Sequence, residues 1–108
     1  KQLPYLAMVH VLDRARVVLT DSGGIQEETT VLGVPCLTLR TCTERPITVE
    51  EGTNRVVGTT PGDILMAVDQ VLANGTPLSS HVPEGWDGQA AQRIADVLST
   101  EISACVSA

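Results

Sequence analysis

Three short β-rich runs, each followed by a helical pattern, constrain this chain more than any other feature. The runs are residues 17–20, 35–39 and 55–57. Runs of this length and composition, bounded by Gly and Pro, read as buried strands. Residues 25–32 form a short helical pattern that Gly33 ends. Pro46 opens another, which stops at Gly52. Ahead of the first strand, Tyr5, Val9 and Leu12 recur at helical spacing, with Leu6 and Met8 alongside. Pro4 suits the first turn of that helix, predicted over residues 4–14. Beyond the third strand, Thr60 is a good N-cap, with Pro61 at the first helical position and Asp63 in the first turn. Ile64, Val68, Val71 and Leu72 give that helix its apolar face, and Asn74-Gly75 ends it. A loop over residues 76–87 precedes a last helix marked by Ile94, Val97, Leu98 and Ile102. Residues 1–102 read as one domain, and residues 103–108 as a fraying tail. Helix and strand in alternation imply an α/β fold, a parallel sheet with helices on its faces. Three strands are few for such a sheet. The start at Lys1, with no initiator Met, adds to the expectation of a longer parent whose earlier strands complete it.

Composition decides what kind of ligand such a sheet can serve. The 108 residues are 43% hydrophobic and 19% charged, as in an ordinary soluble domain. No apolar run approaches the ~20 residues needed to span a bilayer, and no N-terminal signal region is visible. The net charge is −6, there is no basic run, and Tyr5 and Trp86 are the sole aromatics. Nucleic-acid binding needs a basic footprint or stacking platforms, so that class is set aside. A small anion is different: a helix N-terminus and one or two Arg can hold it locally. Cys36, Cys42 and Cys105 show neither a C-x-x-C pair nor zinc spacing, so no metal site is expected. An odd count fits a reducing, cytoplasmic setting. Cys36, in an apolar run, reads as a small core residue.

In open parallel sheets, ligands bind at the carboxyl ends of the strands. The first strand ends in Asp21-Ser22-Gly23-Gly24, and a helix begins at once. The first N–H groups of a helix have no internal partners and favour an anion. Gly23 and Gly24 let a phosphate approach the backbone, because no Cβ intervenes. Ser22 adds a hydroxyl donor. From spacing alone the same corner is equally a tight turn whose serine caps a helix. Glu28 lies one helical turn beyond Gly24, ~6 Å along the axis and on the same face. A carboxylate there can accept both hydrogen bonds of a ribose diol, or be a surface group favoured near a helix N-terminus. Glu27 projects elsewhere and reads as solvated. The loop Arg40-Thr41-Cys42-Thr43-Glu44-Arg45-Pro46 leaves the same edge of the sheet. Arg45 can reach the same anion from there. Glu44 orients Arg45 or pairs with Arg40.

Several spaced motifs then occur in order. They are Thr20-Asp21-Ser22-Gly23-Gly24-Ile25-Gln26-Glu27-Glu28, Leu32-Gly33-Val34-Pro35, Thr43-Glu44-Arg45-Pro46, Glu51-Gly52-Thr53-Asn54, and Trp86-Asp87-Gly88 with Ala91 and Arg93-Ile94 beyond. Together they resemble the C-terminal domain of the non-hydrolysing UDP-N-acetylglucosamine 2-epimerases, over about residues 5–98. The resemblance implies a GT-B architecture: two Rossmann-like domains with the active site between them, of which this would be the C-terminal one. It implies reversible conversion of UDP-N-acetylglucosamine to UDP-N-acetylmannosamine, by elimination of UDP and re-addition after inversion at C2, with no cofactor. At the matching positions Ser22, Gly23 and Gly24 would hold the diphosphate of UDP, Glu28 the ribose hydroxyls and Arg45 the phosphates. Met8 stands where the family often has Phe beside the uracil, and Leu3 where some members have Gln. Both departures fall where the base pocket is expected, and Met cannot stack as an aromatic ring does.

The resemblance also implies that the acid and base carboxylates and the catalytic His belong to an N-terminal domain of the same chain. No residue here matches them, so no catalytic residue is assigned, and His10 and His81 read as structural or solvated. A homodimeric parent is implied, with UDP and UDP-N-acetylglucosamine as ligands. Three alternatives share the nucleotide-binding corner: a GT-B glycosyltransferase, a hydrolysing epimerase, and a non-catalytic nucleotide-binding module. The Glu27-Glu28 pair and the Thr43 to Pro46 loop favour the epimerase.

Overall fold

The computed structural model describes residues 1–107. The elements run α1 (Tyr5–Arg14), β1 (Val18–Thr20), α2 (Gly23–Leu32), β2 (Cys36–Thr38), α3 (Pro46–Glu50), β3 (Asn54–Val56), α4 (Pro61–Asn74) and α5 (Ala90–Ser107). The strands form one parallel sheet in the order β1-β2-β3. Val18 sits beside Cys36, and Cys36 beside Asn54. This is the α/β alternation expected from the sequence.

The centre strand is buried on both faces, since Cys36, Leu37 and Thr38 are all sealed from solvent. Successive side chains alternate between faces. Cys36 and Thr38 share one, where Thr29 of α2 lies beside the Cys36 thiol. The opposite face is left to Leu37, and α4 is the other helix that packs on β2. Burial pushes the Cys36 thiol above its ordinary value. Gly33 ends α2 in the left-handed conformation (φ 73°, ψ 22°), as a C-terminal glycine should.

Several boundaries differ from expectation. α1 begins at Tyr5, with Pro4 as its N-cap in an extended conformation rather than in the first turn. α2 begins at Gly23, so both glycines lie inside its first turn and not in a turn before it. β1 is an edge strand in this chain, and Leu19 is 43% exposed rather than buried. Helix continues through residues 103–107, where an irregular tail was expected, because nothing in that stretch breaks a helix.

Two features of the packing bear on function. The interior beneath α2 is polar: Gln26, Thr29, Thr30, Thr38, Thr48 and Asn54 are all buried. By contrast α5, although amphipathic, packs substantially on no other element. Its apolar residues Ile94, Val97, Leu98 and Ile102 are all more than half exposed. The start of α5 is held to the preceding loop by Arg93, which donates to Gly85 O at 2.7 Å and to Asp87 at 3.0 and 3.1 Å. Among the described residues no helix is long and apolar enough to cross a membrane. No group of three or more His, Cys, Asp or Glu among them could hold a metal ion.

Candidate functional site

The carboxyl end of β1 delivers the chain into α2 within two residues, Asp21 and Ser22. Ser22 is the N-cap, with φ −84° and ψ 130°. Its own N–H donates to Thr20 Oγ1 at 3.0 Å, which fixes the corner. The Ser22 hydroxyl makes no capping bond to the helix, so it remains free to act as a donor. A Cβ placed on Gly24 would meet nothing within 4 Å. The first turn of α2 therefore opens its unpaired N–H groups to the crevice, the arrangement that attracts an anion.

Arg45 comes to this corner from the loop that follows β2. Its Cζ and Nη2 lie 3.6 Å from where a Gly23 Cβ would sit, and so does Glu44 Oε1. Its Nε pairs with Glu27. The expectation that Glu27 is merely solvated is therefore corrected: the carboxylate orients the guanidinium by one edge and leaves Nη2 over Gly23. Glu44 takes the other of its two expected roles. It accepts two 2.8 Å bonds from Arg40, and the Arg40 guanidinium holds its carboxyl below the usual carboxylate value.

Glu28 lines a neighbouring cleft of ≈ 560 Å³, together with Tyr5, Val9, Gly24, Glu27 and Trp86. The cleft lies between α1, α2 and the residue 85–88 loop, and it is continuous with the Gly24 end of the anion corner. The Tyr5 hydroxyl lies beside the Glu28 carboxylate, which raises the phenol above its ordinary value. Met8 is half-buried on α1 and is not among the residues lining the cleft; Tyr5 and Val9 are the α1 residues that do. Ser22, Gly23, Gly24, Glu28 and Arg45 are thus brought to one end of the sheet, and Met8 directly precedes the cleft-lining Val9 on α1. A second cleft of ≈ 370 Å³ opens at the amino ends of β2 and β3, and none of these residues lines it. His10 is exposed on α1, and His81 Nε2 lies 3.3 Å from Glu51 Oε2, both far in the chain from the corner's residues.

Sequence reasoning passed over Gln26, which is fully buried and tied to both halves of the site. It also passed over Tyr5 and Trp86 as cleft-lining residues. Trp86 was visible as half of the chain's aromatic content, but only the fold shows that its loop returns to α2.

A parallel α/β sheet with helices on its faces, and a strand-to-helix corner that Arg45 approaches from the next loop, is a domain of Rossmann-like type. The comparisons narrow this class. The family model described as UDP-N-acetylglucosamine 2-epimerase matches residues 1–99, and the chain belongs to that family. It is 45% identical over 98 residues to the UDP-N-acetylglucosamine 2-epimerase of Yersinia pestis, covering 87% of this chain and 26% of that protein. It is 44% identical over 96 residues to a probable UDP-N-acetylglucosamine 2-epimerase of Ralstonia solanacearum, covering 85% and 25%. Among solved structures, the Neisseria meningitidis UDP-GlcNAc 2-epimerase bound to UDP-GlcNAc superposes with TM-score 0.83 at 34% identity, covering 93% of this chain and 28% of that one. The Methanocaldococcus jannaschii enzyme in complex with UDP-GlcNAc and UDP gives 0.80 at 40% identity, covering 91% and 26%. The fold is accordingly part of a GT-B architecture. The chain spans about a quarter of the length of the curated relatives it matches.

Proposed function

We propose that this chain is the UDP-binding portion of an enzyme that interconverts UDP-N-acetylglucosamine and UDP-N-acetylmannosamine. The observation that carries the reading is the placement of Arg45 Nη2 over Gly23, beside an open helix N-terminus. Helix N–H groups, the free Ser22 hydroxyl and the Arg45 guanidinium lie around Gly23, while the Glu44 carboxylate at the same distance is paired with Arg40. A diphosphate has the charge and the several acceptor oxygens to satisfy all of them. Gly23 and Gly24 keep the backbone accessible to it, and Glu28 accepts the ribose hydroxyls in place of Tyr5. Met8 lies on the helix nearest the base. Tyr5 and Trp86, which line the cleft as Met8 does not, are the rings placed to meet a uracil face.

In the reaction, these groups stabilise UDP as it leaves the sugar, where negative charge develops on the β-phosphate. The proton transfers at C2 require an acid and a base, and these come from another domain of the parent chain. Further strands of the parent extend the sheet past β1, whose Leu19 is left exposed here. The parent is a cytoplasmic homodimer. The 108 residues alone bind UDP weakly and do not turn over, because half of the crevice is missing.

Titration of UDP into the wild-type chain, Glu28→Ala and Arg45→Ala, followed by amide chemical shifts, tests the site. Shifts at Gly23 and Gly24 that weaken in both variants are expected. No shift in the wild type at millimolar UDP would sink the assignment. Incubation of the full-length protein with UDP-N-acetylglucosamine, with detection of the C2 epimer and free UDP, tests the reaction.

A further inference from the structure

The two halves of the anion corner come from different elements, yet one buried side chain joins them. Gln26 is 0% exposed. Its Nε2 donates to Ser22 O at 3.1 Å, at the helix start. Its Oε1 accepts from Thr43 Oγ1 at 2.5 Å and from Asn54 Nδ2 at 2.9 Å. Thr43 Oγ1 in turn accepts the Arg45 backbone N–H at 3.0 Å. Asn54 Nδ2 also donates to Thr48 Oγ1 at 3.0 Å, and Thr48 Oγ1 donates to Arg45 O at 2.6 Å. Asn54 Oδ1 accepts from Thr38 Oγ1 at 2.5 Å, which anchors the set to the centre strand. Both backbone polar groups of Arg45 are therefore held by threonines, and both threonines connect to Gln26, directly or through Asn54.

A network confined to stability needs no such convergence. Buried amides left unsatisfied are costly, so these side chains must be paired somewhere. What chemistry alone does not require is that the pairings end on Ser22 and on both sides of Arg45. Arg is a long, flexible side chain, and the position of its guanidinium depends on where its backbone is fixed. Resting on the UDP-binding reading above, we propose that Gln26 and Thr43, supported by Asn54, are positioning residues that set the spacing between the helix N-terminus and Arg45. They touch no ligand themselves. They hold the two phosphate-gripping groups at one separation before ligand arrives, so that binding need not order the loop over residues 40–45.

Thr43→Val is the informative variant. It keeps the side chain's shape and removes the hydroxyl that links Gln26 to the Arg45 N–H. Thr43→Ser restores the hydroxyl. In the full-length protein, UDP affinity is expected to fall on the order of tenfold in Thr43→Val and to recover in Thr43→Ser. Affinity for uridine, which has no phosphate, should be unchanged. In an Arg45→Ala background, Thr43→Val should cause no further loss, since the group it positions is gone. Gln26→Leu should show the same loss of UDP over uridine affinity wherever its thermal unfolding remains cooperative. Unchanged UDP affinity in Thr43→Val, equal losses for UDP and uridine, or full additivity with Arg45→Ala would each overturn the positioning role. Failure of the wild type itself to bind UDP, or indifference of binding to Arg45→Ala, would instead overturn the underlying site assignment.

Discussion

Glycines at different positions in this chain are under different constraints, and the constraint separates site from scaffold. A Cβ on Gly52 would lie 2.6 Å from Thr30 Cγ2 and 2.7 Å from Thr48 O. The Thr48 contact is backbone and cannot swing away. Gly52→Ala is therefore expected to cost ~1–3 kcal/mol by overpacking, read as a lowered denaturant midpoint. A Cβ on Gly24 meets nothing, and Gly24 lies in the first turn of a helix. Gly24→Ala should raise stability, by up to about 1 kcal/mol, through reduced freedom of the unfolded chain. It should also weaken UDP binding, because the methyl occupies the volume assigned to phosphate. A variant that gains stability and keeps full UDP affinity would show that the phosphate does not sit there. Thiols divide in the same way. Cys42 and Cys105 are exposed and Cys36 is buried with its thiol held protonated. Alkylation of the folded chain should stop at two adducts by mass spectrometry, and the third should appear only on unfolding. The placement of Ser22, Gly23, Gly24 and Arg45 at one corner was legible because each belongs to a contiguous motif at the end of a strand; the roles proposed for them and for Glu28 rest on that placement. Gln26 was not legible, since a polar residue in a helix looks solvent-facing until the interior beneath it proves to be polar, with Thr43 and Asn54 placed to bond it.

At the scale of elements, the alternation of helix and strand was legible because each carries its own period or punctuation. Pro61 after Thr60 and Gly33 after Leu32 mark helix ends through local backbone chemistry. The start of α2 was misplaced because Gly23-Gly24 suggests a turn, while helix N-termini tolerate glycine when strand and crevice fix the chain's direction. Burial was the harder quantity, since the hydrophobicity of Leu19 or Ile94 does not say whether a neighbour is present to cover it. α5 is where this matters. An isolated helix gains little stability from propensity alone, and the apolar side chains of α5 are mostly exposed. Its amides should exchange with deuterium orders of magnitude faster than those of β2 and α2. Equal protection would mean that α5 is covered by something in solution. The Arg93–Asp87 pair that anchors the start of α5 is expected to be acid-sensitive. Arg93 holds the Asp87 carboxyl below its ordinary value. A depressed carboxylate contributes above the unfolded pKa, ~3.9, and the contribution is lost as pH falls through the lower folded value. The Gln89 amide, which donates to Asp87 at 2.9 Å, should report that titration with a midpoint below that of free aspartate. A midpoint at or above it would mean the anchor does not form.

At the scale of the molecule, shape and surface carry the same message as α5. A compact chain of this length has a radius of gyration of about 13 Å, whereas the structure has 17.7 Å and extends 62 Å along its long axis. Its accessible surface is 7433 Å², against roughly 5,800 Å² for a folded monomer of this mass. The excess is about twice what one partner contributes to a standard protein–protein interface. Leu19 of β1 and the apolar residues of α5 contribute to it, as do Leu6 of α1 and Leu65 and Met66 of α4. Burial of apolar surface is the main source of folding stability, so the chain on its own should be only marginally stable. In the full-length protein the same residues should join one cooperative unit. Native-state hydrogen exchange on both forms decides this. The expected outcome is that α5 and β1 amides are weakly protected in the 108-residue chain and rise to the level of β2 in the full-length protein, with β2 itself also gaining protection. If β2 gains none, the sheet is already complete within these residues, and no further strands extend it past β1.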